Sequence, residues 1–363
     1  MKRTVSMKDV AIAAGVSQPA VSYAYNKPSE ISGSQREHIL KVAKDLGYPG
    51  PNVRGRSLRS GRVGAIGLMI MDALPYAFAD PSTIGVLKGI GEFGELSSVA
   101  LSLFPLQKDI AGGSGDARSM SLALRGLVDG LIVHCLPDDY PGIDIALKQG
   151  IPMVVVDAPV IEGVPFVGID DFGAGKLQMQ HLLDLGHRRI GIIAERLRPD
   201  GHKGLVSRRR IQASTEHVVS ERLSGHLAAA QAAALSFDDL VVVEAGGFDY
   251  GDGYWAAERL LEKKGITAVA ATSDVMALSM LAIARERGIS VPKQLSVVGF
   301  DDIPEAVGAG LTTIRQSLVE KGRVAAQMLH ELLNADGAGP AEAKKVILPT
   351  ELIVRTSTGT CKA

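Results

Sequence analysis

Cysteine is nearly absent from this sequence. The two that occur, Cys135 and Cys361, lie far apart with no C-x-x-C spacing. They give no support to a disulfide framework or a zinc site. The eight histidines show no metal-ligand spacing either, so no metal is expected. No run of about 18 apolar residues occurs, so no membrane-spanning helix is expected. The first residues, Met1-Lys2-Arg3-Thr4-Val5, lack the apolar stretch of a secretory signal. A reducing cytoplasm is the expected compartment. Hydrolase and nucleotide-binding signatures are missing too: there is no G-x-S-x-G, H-E-x-x-H or P-loop. Gly89-Ile90-Gly91-Glu92-Phe93-Gly94 satisfies G-x-G-x-x-G. It falls late in a helical pattern rather than between a strand and a helix, so it reads as chance. The chain is expected to be no enzyme and to carry no cofactor.

What is present is a long, core-rich chain. It has 363 residues, 46% hydrophobic and 22% charged, enough for two or three globular domains. The net charge of −1 hides an asymmetry. Residues 1–62 hold 11 Lys/Arg and 4 Asp/Glu, a balance of +7; the rest holds 28 and 36, a balance of −8. A basic head on an acidic body is what a phosphate backbone attracts.

The head reads as three short helices. Ser6 caps the first, with Asp9 three residues on, and Gly15 ends it. Ser17 caps the second, which runs from Gln18 to about Tyr25 and stops at Asn26-Lys27-Pro28. Pro19 is acceptable in its first turn. The third follows Ser32, with Gln35 completing a capping box, and ends at Gly47. Two short helices joined by a glycine turn, with a third closing a small core, make a helix-turn-helix pattern. Residues 49–62 then form a Pro/Gly/Arg-rich linker.

From residue 63 short apolar runs alternate with helical segments. Strands are expected at 63–70, 99–104, 128–134, 153–157, 166–169, 189–194, 240–244, 268–272 and 295–300. Helices are expected near 83–95, 116–126, 141–149, 173–185, 219–235, 252–264, 274–287 and 317–334. The alternation predicts an α/β body of doubly wound parallel sheet, better divided between two sheets than held in one. Ligands of such folds bind beyond the carboxyl ends of the strands. Residues 196–217 are basic and interrupt the alternation; they read as a long mobile loop, or as a basic lid over an anionic effector.

Several strings resemble landmarks of the LacI/GalR family of repressors. They include Ser6-Met7-Lys8-Asp9-Val10-Ala11, Ala14-Gly15-Val16-Ser17 and Leu46-Gly47-Tyr48 in the head. In the body they include Val128-Asp129-Gly130-Leu131-Ile132, Ser273-Asp274-Val275-Met276-Ala277 and Ser296-Val297-Val298-Gly299-Phe300-Asp301-Asp302. The resemblance implies a helix-turn-helix domain at 1–49, a hinge helix at 50–62, and a periplasmic-binding-protein-like core at 63–358. Its two lobes would be about 63–160 with 294–325, and 161–293 with 326–358, joined by three crossings. It implies a homodimer on a palindromic operator, a repressor in role, controlled by a small-molecule effector such as a sugar or nucleoside-like metabolite, with no membrane partner.

The resemblance also assigns residues. Gln18, Pro19, Ser22 and Tyr23 would face the major groove, where a Gln amide reads adenine. Tyr23 stands where the family usually has Arg, so the usual bidentate guanine contact is not expected. Ser6, Ser17, Asn26, Ser32 and Arg36 would hold phosphates. Leu58 matches a minor-groove wedge, flanked by Gly55, where Ala is common, and by Arg54. In the core, Arg222, Asp301, Ser273 and Phe248 match effector contacts. Asp72, Tyr76, Phe78 and Asp157 follow strands at the expected cleft. Asp274 is expected to cap the helix after Ser273.

Overall fold

The computed structural model describes residues 5–50, 63–71, 74–96, 99–105, 127–335 and 343–361. It separates into two units, Met1–Gly64 and Ala65–Ala363. The expected hinge residues Arg54, Gly55 and Leu58, the helix expected at 116–126, and Asp72 lie outside the described residues.

The first unit holds helices α1 (Met7–Ala14), α2 (Gln18–Asn26) and α3 (Gly33–Asp45). Ser6 and Asp9 form a reciprocal capping box at the start of α1, and Gly15 ends it with φ +66°. Ser17 accepts from the Ala20 amide at 3.3 Å to start α2, and Ser32 does the same for Gln35 before α3. The box expected at Ser32 is therefore half made. Val10, Ala11, Ala14, Val21, Ala24, Ile39 and Ala43 form the small core.

The second unit starts with β1 (Ala65–Ile70), a short helix α4 (Leu74–Ala77), α5 (Pro81–Glu92) and β2 (Ala100–Pro105). Next come β3 (Gly130–His134), α6 (Pro141–Lys148), β4 (Met153–Val156), β5 (Phe166–Ile169) and α7 (Asp171–Asp184). The chain continues through β6 (Ile190–Ala194), β7 (Gly204–Leu205), α8 (Arg208–Gln212), α9 (His217–Ala232), β8 (Leu240–Glu244) and α10 (Tyr250–Leu261). It ends with β9 (Ala268–Ala271), α11 (Asp274–Glu286), β10 (Ser296–Asp301), α12 (Pro304–Gly308), β11 (Thr312–Arg315), α13 (Leu318–Asn334), β12 (Lys345–Leu348) and β13 (Glu351–Ile353).

These strands make two sheets, ordered β12-β5-β4-β3-β1-β2 and β13-β11-β10-β9-β6-β8-β7 among the described residues. The central strands of both are parallel and, counted in chain order within each sheet, lie 5-4-3-1-2, so the strand order reverses between the first and third strand. That reversal opens a crevice at the carboxyl ends. The strands are continuous apolar runs because both faces are covered: β1, β3 and β4 are buried throughout.

The lobe boundaries differ from those expected. β5 pairs with β4 at Val155–Phe166, so the first lobe runs past residue 160 to Ile169. β10 pairs with β9 and β11 with β10, so residues 296–315 belong to the second lobe, not the first. Helix α13 buries Ala325, Ala326 and Leu329 on the first sheet, and β12 pairs with β5; both belong to the first lobe. Strand pairing between distant segments, rather than sequence order, decides each assignment. The three crossings fall near Asp170, near Gln316-Ser317 and near Pro349-Thr350.

Residues 196–217 are built into the second lobe. They contain β7, antiparallel to β8, and α8. Arg196 pairs with Glu216 at 2.7 Å, Lys203 with Asp252 at 2.5 Å, and Arg210 with Asp200 at 2.9 Å and with Glu244. Carboxylates hold Arg196, Lys203 and Arg210, while Arg208 and Arg209 face solvent, so the segment is neither the loop nor the positive lid that its composition suggests.

Gly89, the first residue of the fortuitous G-x-G-x-x-G, has a packing role. A Cβ there would lie 1.9 Å from the Val319 carbonyl of α13, and one at Gly322 would lie 2.1 Å from the Val86 carbonyl of α5. Helices α7 and α9 touch in the same way. A Cβ at Gly225 would lie 2.1 Å from the Phe172 carbonyl, and one at Gly175 2.4 Å from that of Arg222. Gly225→Val is expected to wedge these helices apart, costing at least the ~1–3 kcal/mol typical of overpacking. It should also displace Arg222 one turn away. A melting temperature within a degree of the parent's would contradict this contact.

Candidate functional site

Two surfaces concentrate the polar chemistry. On the first unit, Gln18, Pro19 and Tyr23 are exposed on α2 while Val21 and Ala24 are buried beneath. The face has the amide and ring groups that a groove-reading helix needs. Around it, Ser6 and Ser17 spend their hydroxyls as helix caps. Ser32 is likewise engaged at the start of α3. Arg36 Nε donates to the Ala24 carbonyl at 3.1 Å, tying α3 to α2. Asn26 Nδ2 donates back to the Ser22 carbonyl at 3.1 Å.

On the second unit, the carboxyl ends of the two sheets face each other across a cleft. Tyr76, Asp157, Arg222, Phe248, Ser273 and Asp301 all line it. Phe78 does not: it follows the end of α4 and is 57% exposed, while Tyr76 within that helix lines the cleft. The rings of Tyr76 and Phe248 sit 5.8 Å apart, and the Arg196 guanidinium lies 4.8 Å over Phe248. Together they form an aromatic wall with a cation on it.

Arg222 is the electrostatic centre. It is 5% exposed, donates to Asp171 Oδ1 at 2.8 Å and to the Thr272 carbonyl at 2.6 Å, and lies 3.6 Å from Asp301 Oδ1. Its guanidinium stacks 3.6 Å from the Phe300 ring centroid. These carboxylates hold its pKa above the ordinary value despite burial. Burial pushes the Asp301 carboxyl up to about 6, against the pull of Arg222 and a hydrogen bond from Gln316. Across the cleft, Asp157 Oδ1 accepts from the fully buried Lys321 Nζ at 2.5 Å, and Lys321 also donates to Gln316.

Three non-glycine residues at the cleft adopt positive φ: Cys135 (+49°), Asp157 (+65°) and Asp301 (+120°). Each ends or follows a strand, so the backbone turns sharply to aim its side chain inward; such strain gathers at functional sites. Ser273, not Asp274, caps α11 by accepting from the Met276 amide. The Asp274 carboxylate is turned into the core, accepting from Thr313 Oγ1 at 2.6 Å and from the Ile303 amide at 2.9 Å. Those two partners, distant in sequence, outcompete the local cap.

A family model described as bacterial regulatory proteins, lacI family, matches residues 6–52, and a periplasmic binding protein-like domain matches residues 179–358. An HTH-type transcriptional regulator of Mycolicibacterium smegmatis is 39% identical over 344 residues, covering 93% of this chain and 92% of that protein. The chain belongs to the lacI family. It is a DNA-binding transcriptional regulator whose core is of the periplasmic-binding-protein type. Among solved structures, a family member from Corynebacterium glutamicum is 29% identical with TM-score 0.73, covering 99% of both chains. The complex of the regulator CelR with cellobiose is 28% identical with TM-score 0.69, covering 97% of this chain and 99% of that one.

The sequence reading of this family member missed Glu195, Glu216, His134, Cys135 and Gln316, all of which line the cleft. A signal existed for two of them. Glu195 and His134 stand at the carboxyl ends of strands, where Asp157 and Asp301 were sought. Glu195 is pushed from its ordinary 4.5 to about 7, by burial first, with Arg222 pulling it down. An acid whose pKa is higher folded than unfolded binds extra protons in the folded state. Its contribution is therefore greatest below pH 4.5 and is lost as pH rises toward 7. Glu195→Gln should flatten the fall in melting temperature between those values; parallel profiles for the two proteins would contradict the burial of this carboxyl.

Proposed function

We propose that the protein is a repressor that binds a palindromic operator as a homodimer, with α2 in the major groove and the 50–62 hinge at the minor groove, and that a neutral polyhydroxylated effector in the core cleft controls it. Gln18, Pro19, Ser22 and Tyr23 read the bases. Ser6, Ser17, Asn26, Ser32 and Arg36 lie along the backbone, and Arg54, Gly55 and Leu58 belong to the hinge. Effector contacts come from Tyr76, Asp157, Arg222, Phe248, Ser273 and Asp301.

One observation carries the effector half: the cleft joins an aromatic wall, Tyr76 and Phe248, to carboxylates at strand ends held by a buried arginine. Rings cover the apolar face of a sugar or nucleoside, while carboxylates and guanidinium bond its hydroxyls. Charge supports a neutral ligand. Arg222 serves Asp171 and Asp301, Lys321 serves Asp157, and Arg196 serves Glu216. An anionic ligand would meet acids whose cations are already engaged. The cellobiose bound by CelR is a ligand of this chemistry.

Effector closure of the lobes shifts operator affinity only by the difference in its affinity for the two states. The test is a thermal-shift screen of the full-length protein against sugars, polyols and nucleosides, followed by operator binding with the strongest hit. A hit should stabilise the parent, lose most of its effect in Phe248→Ala, and change operator affinity. Stabilisation only by anionic metabolites, or a hit that leaves DNA binding unchanged, would overturn the reading.

A further inference from the structure

One corner of the cleft sets beside the effector contact Asp157 two side chains, His134 and Cys135, that sugar recognition does not use. His134 ends β3, Cys135 follows it, and Asp157 follows the neighbouring strand β4. His134 is 1% exposed. Among the described residues neither of its ring nitrogens has a hydrogen-bond partner. A buried imidazole left so is costly, and most buried polar groups are paired. Its Nε2 lies 3.9 Å from Asp157 Oδ2. The Cys135 sulfur lies 4.0 Å from the same oxygen. One donor atom from each of the three side chains falls within 4.8 Å of the others.

We propose that His134, Cys135 and Asp157 form a binding site for a zinc-type divalent cation in the wall of the cleft.

The geometry is close to what such an ion requires. Metal–ligand bonds of ~2.0–2.3 Å in a tetrahedron place ligand atoms roughly 3.3–3.7 Å apart. The two separations from Asp157 Oδ2, 3.9 and 4.0 Å, exceed that by a few tenths of an ångström, and the histidine and cysteine donors lie within 4.8 Å of each other, so side-chain rotation has to draw all three inward. The donor set selects the metal: imidazole nitrogen and thiolate sulfur favour zinc-like ions, whereas calcium and magnesium take oxygen. Three protein ligands leave a fourth position on the cleft side for water or an effector oxygen. The charges are tolerable. Asp157 and a Cys135 thiolate offset the ion, and Asp80 adds a further negative charge facing His134 and Cys135. Lys321 engages the other oxygen of Asp157, Oδ1, and is also held by Gln316. Arg222 is committed to Asp171. On binding, Cys135 releases its thiol proton to solvent and no other bond changes.

The test uses full-length protein cleared of metal by a chelator and titrated with cobalt(II) alone. One equivalent should produce a thiolate-to-cobalt charge-transfer band, which zinc then displaces. The band should vanish in Cys135→Ser and persist in Cys361→Ser, the other cysteine of the chain. Losing an outer-shell partner alone costs ~10–100-fold in metal affinity, so losing the ligand in His134→Ala should cost at least that. If Cys135→Ser does not fold, alkylation of the parent decides: cobalt should protect Cys135 and leave Cys361 reactive, read by mass spectrometry. No band, a band that survives Cys135→Ser, or protection of neither cysteine would overturn the proposal. The titration involves neither operator nor effector, so its failure would leave the regulatory reading standing.

Discussion

Replacing Arg222 with methionine is expected to destabilise the core by about 3–5 kcal/mol and to abolish the effector response. The size follows from what remains. Asp171 and Asp301 stay buried, 7% and 8% exposed, after losing the guanidinium at 2.8 and 3.6 Å. Breaking a buried pair from one side leaves an uncompensated charge, and ~3–5 kcal/mol is the usual cost. At ~2–4 °C per kcal/mol for units of this size, the melting temperature should fall by roughly 6–20 °C. The mechanism has its own control. If stranded charge is the cause, adding Asp171→Asn should recover part of the loss, because the two changes are coupled through one contact. A single variant that melts with the parent, or a double variant that melts where additivity places it, would contradict this account of Arg222. The effector response should fail in either variant, because Arg222 also positions Asp301 at the cleft.

Gln18→Ala is expected to weaken operator binding by at least thirtyfold while leaving the fold intact. Gln18 is exposed on α2, so the first unit loses no core contact. A bidentate amide–adenine pair discriminates by ~1–3 kcal/mol. A homodimer uses it twice, giving about 2–6 kcal/mol, or thirtyfold upward at ~1.4 kcal/mol per decade. Fluorescence anisotropy on a duplex recovered by selection reads this directly. Tyr23→Arg is the complementary change: it should create a preference for guanine at one position of each half-site, since a guanidinium pairs bidentately where a phenol cannot. A Gln18→Ala protein that binds within twofold of the parent would remove α2 from base reading.

Much of this was legible in the sequence, for a physical reason. Parallel strands buried on both faces are runs of Val, Ile, Leu and Ala, and the segments from β1 to β10, β7 apart, stand out between helical patterns. Helix starts in the head were legible because Ser6, Ser17 and Ser32 fill N-cap positions whose chemistry is local. Where structure depends on distant partners, the reading failed. β11 reads Thr-Thr-Ile-Arg, yet Thr312 and Thr313 are fully buried. The Ser357 hydroxyl accepts from the Thr312 amide and Asp274 from the Thr313 hydroxyl, from 45 and 39 residues away. The edge strands β7, β12 and β13 have only two, four and three residues, too few to show an alternation. Lobe membership was misassigned because it is decided by which sheet a strand joins.

The site divides the same way. Strand-end polar residues such as Asp157 and Asp301 could be named from position, and the same rule would have given Glu195 and His134. Lys321, in the first turn of α13, could not: it reads as a solvated charge until the fold brings it to Asp157. Nor could the His134–Cys135–Asp157 corner, because its third member comes from the neighbouring strand and matches no sequence spacing. Residues 196–217 were misread because composition shows their basic side chains but not the acids that hold Arg196, Lys203 and Arg210.

The most direct measurement is selection of random duplexes by the full-length protein, sequenced with and without the ligand that most raises its melting temperature. The account requires a two-fold symmetric consensus, lost in Gln18→Ala, whose recovery changes with ligand in the parent but not in Arg222→Met. Recovery of no consensus, or of one indifferent to a ligand bound in the cleft, would contradict it.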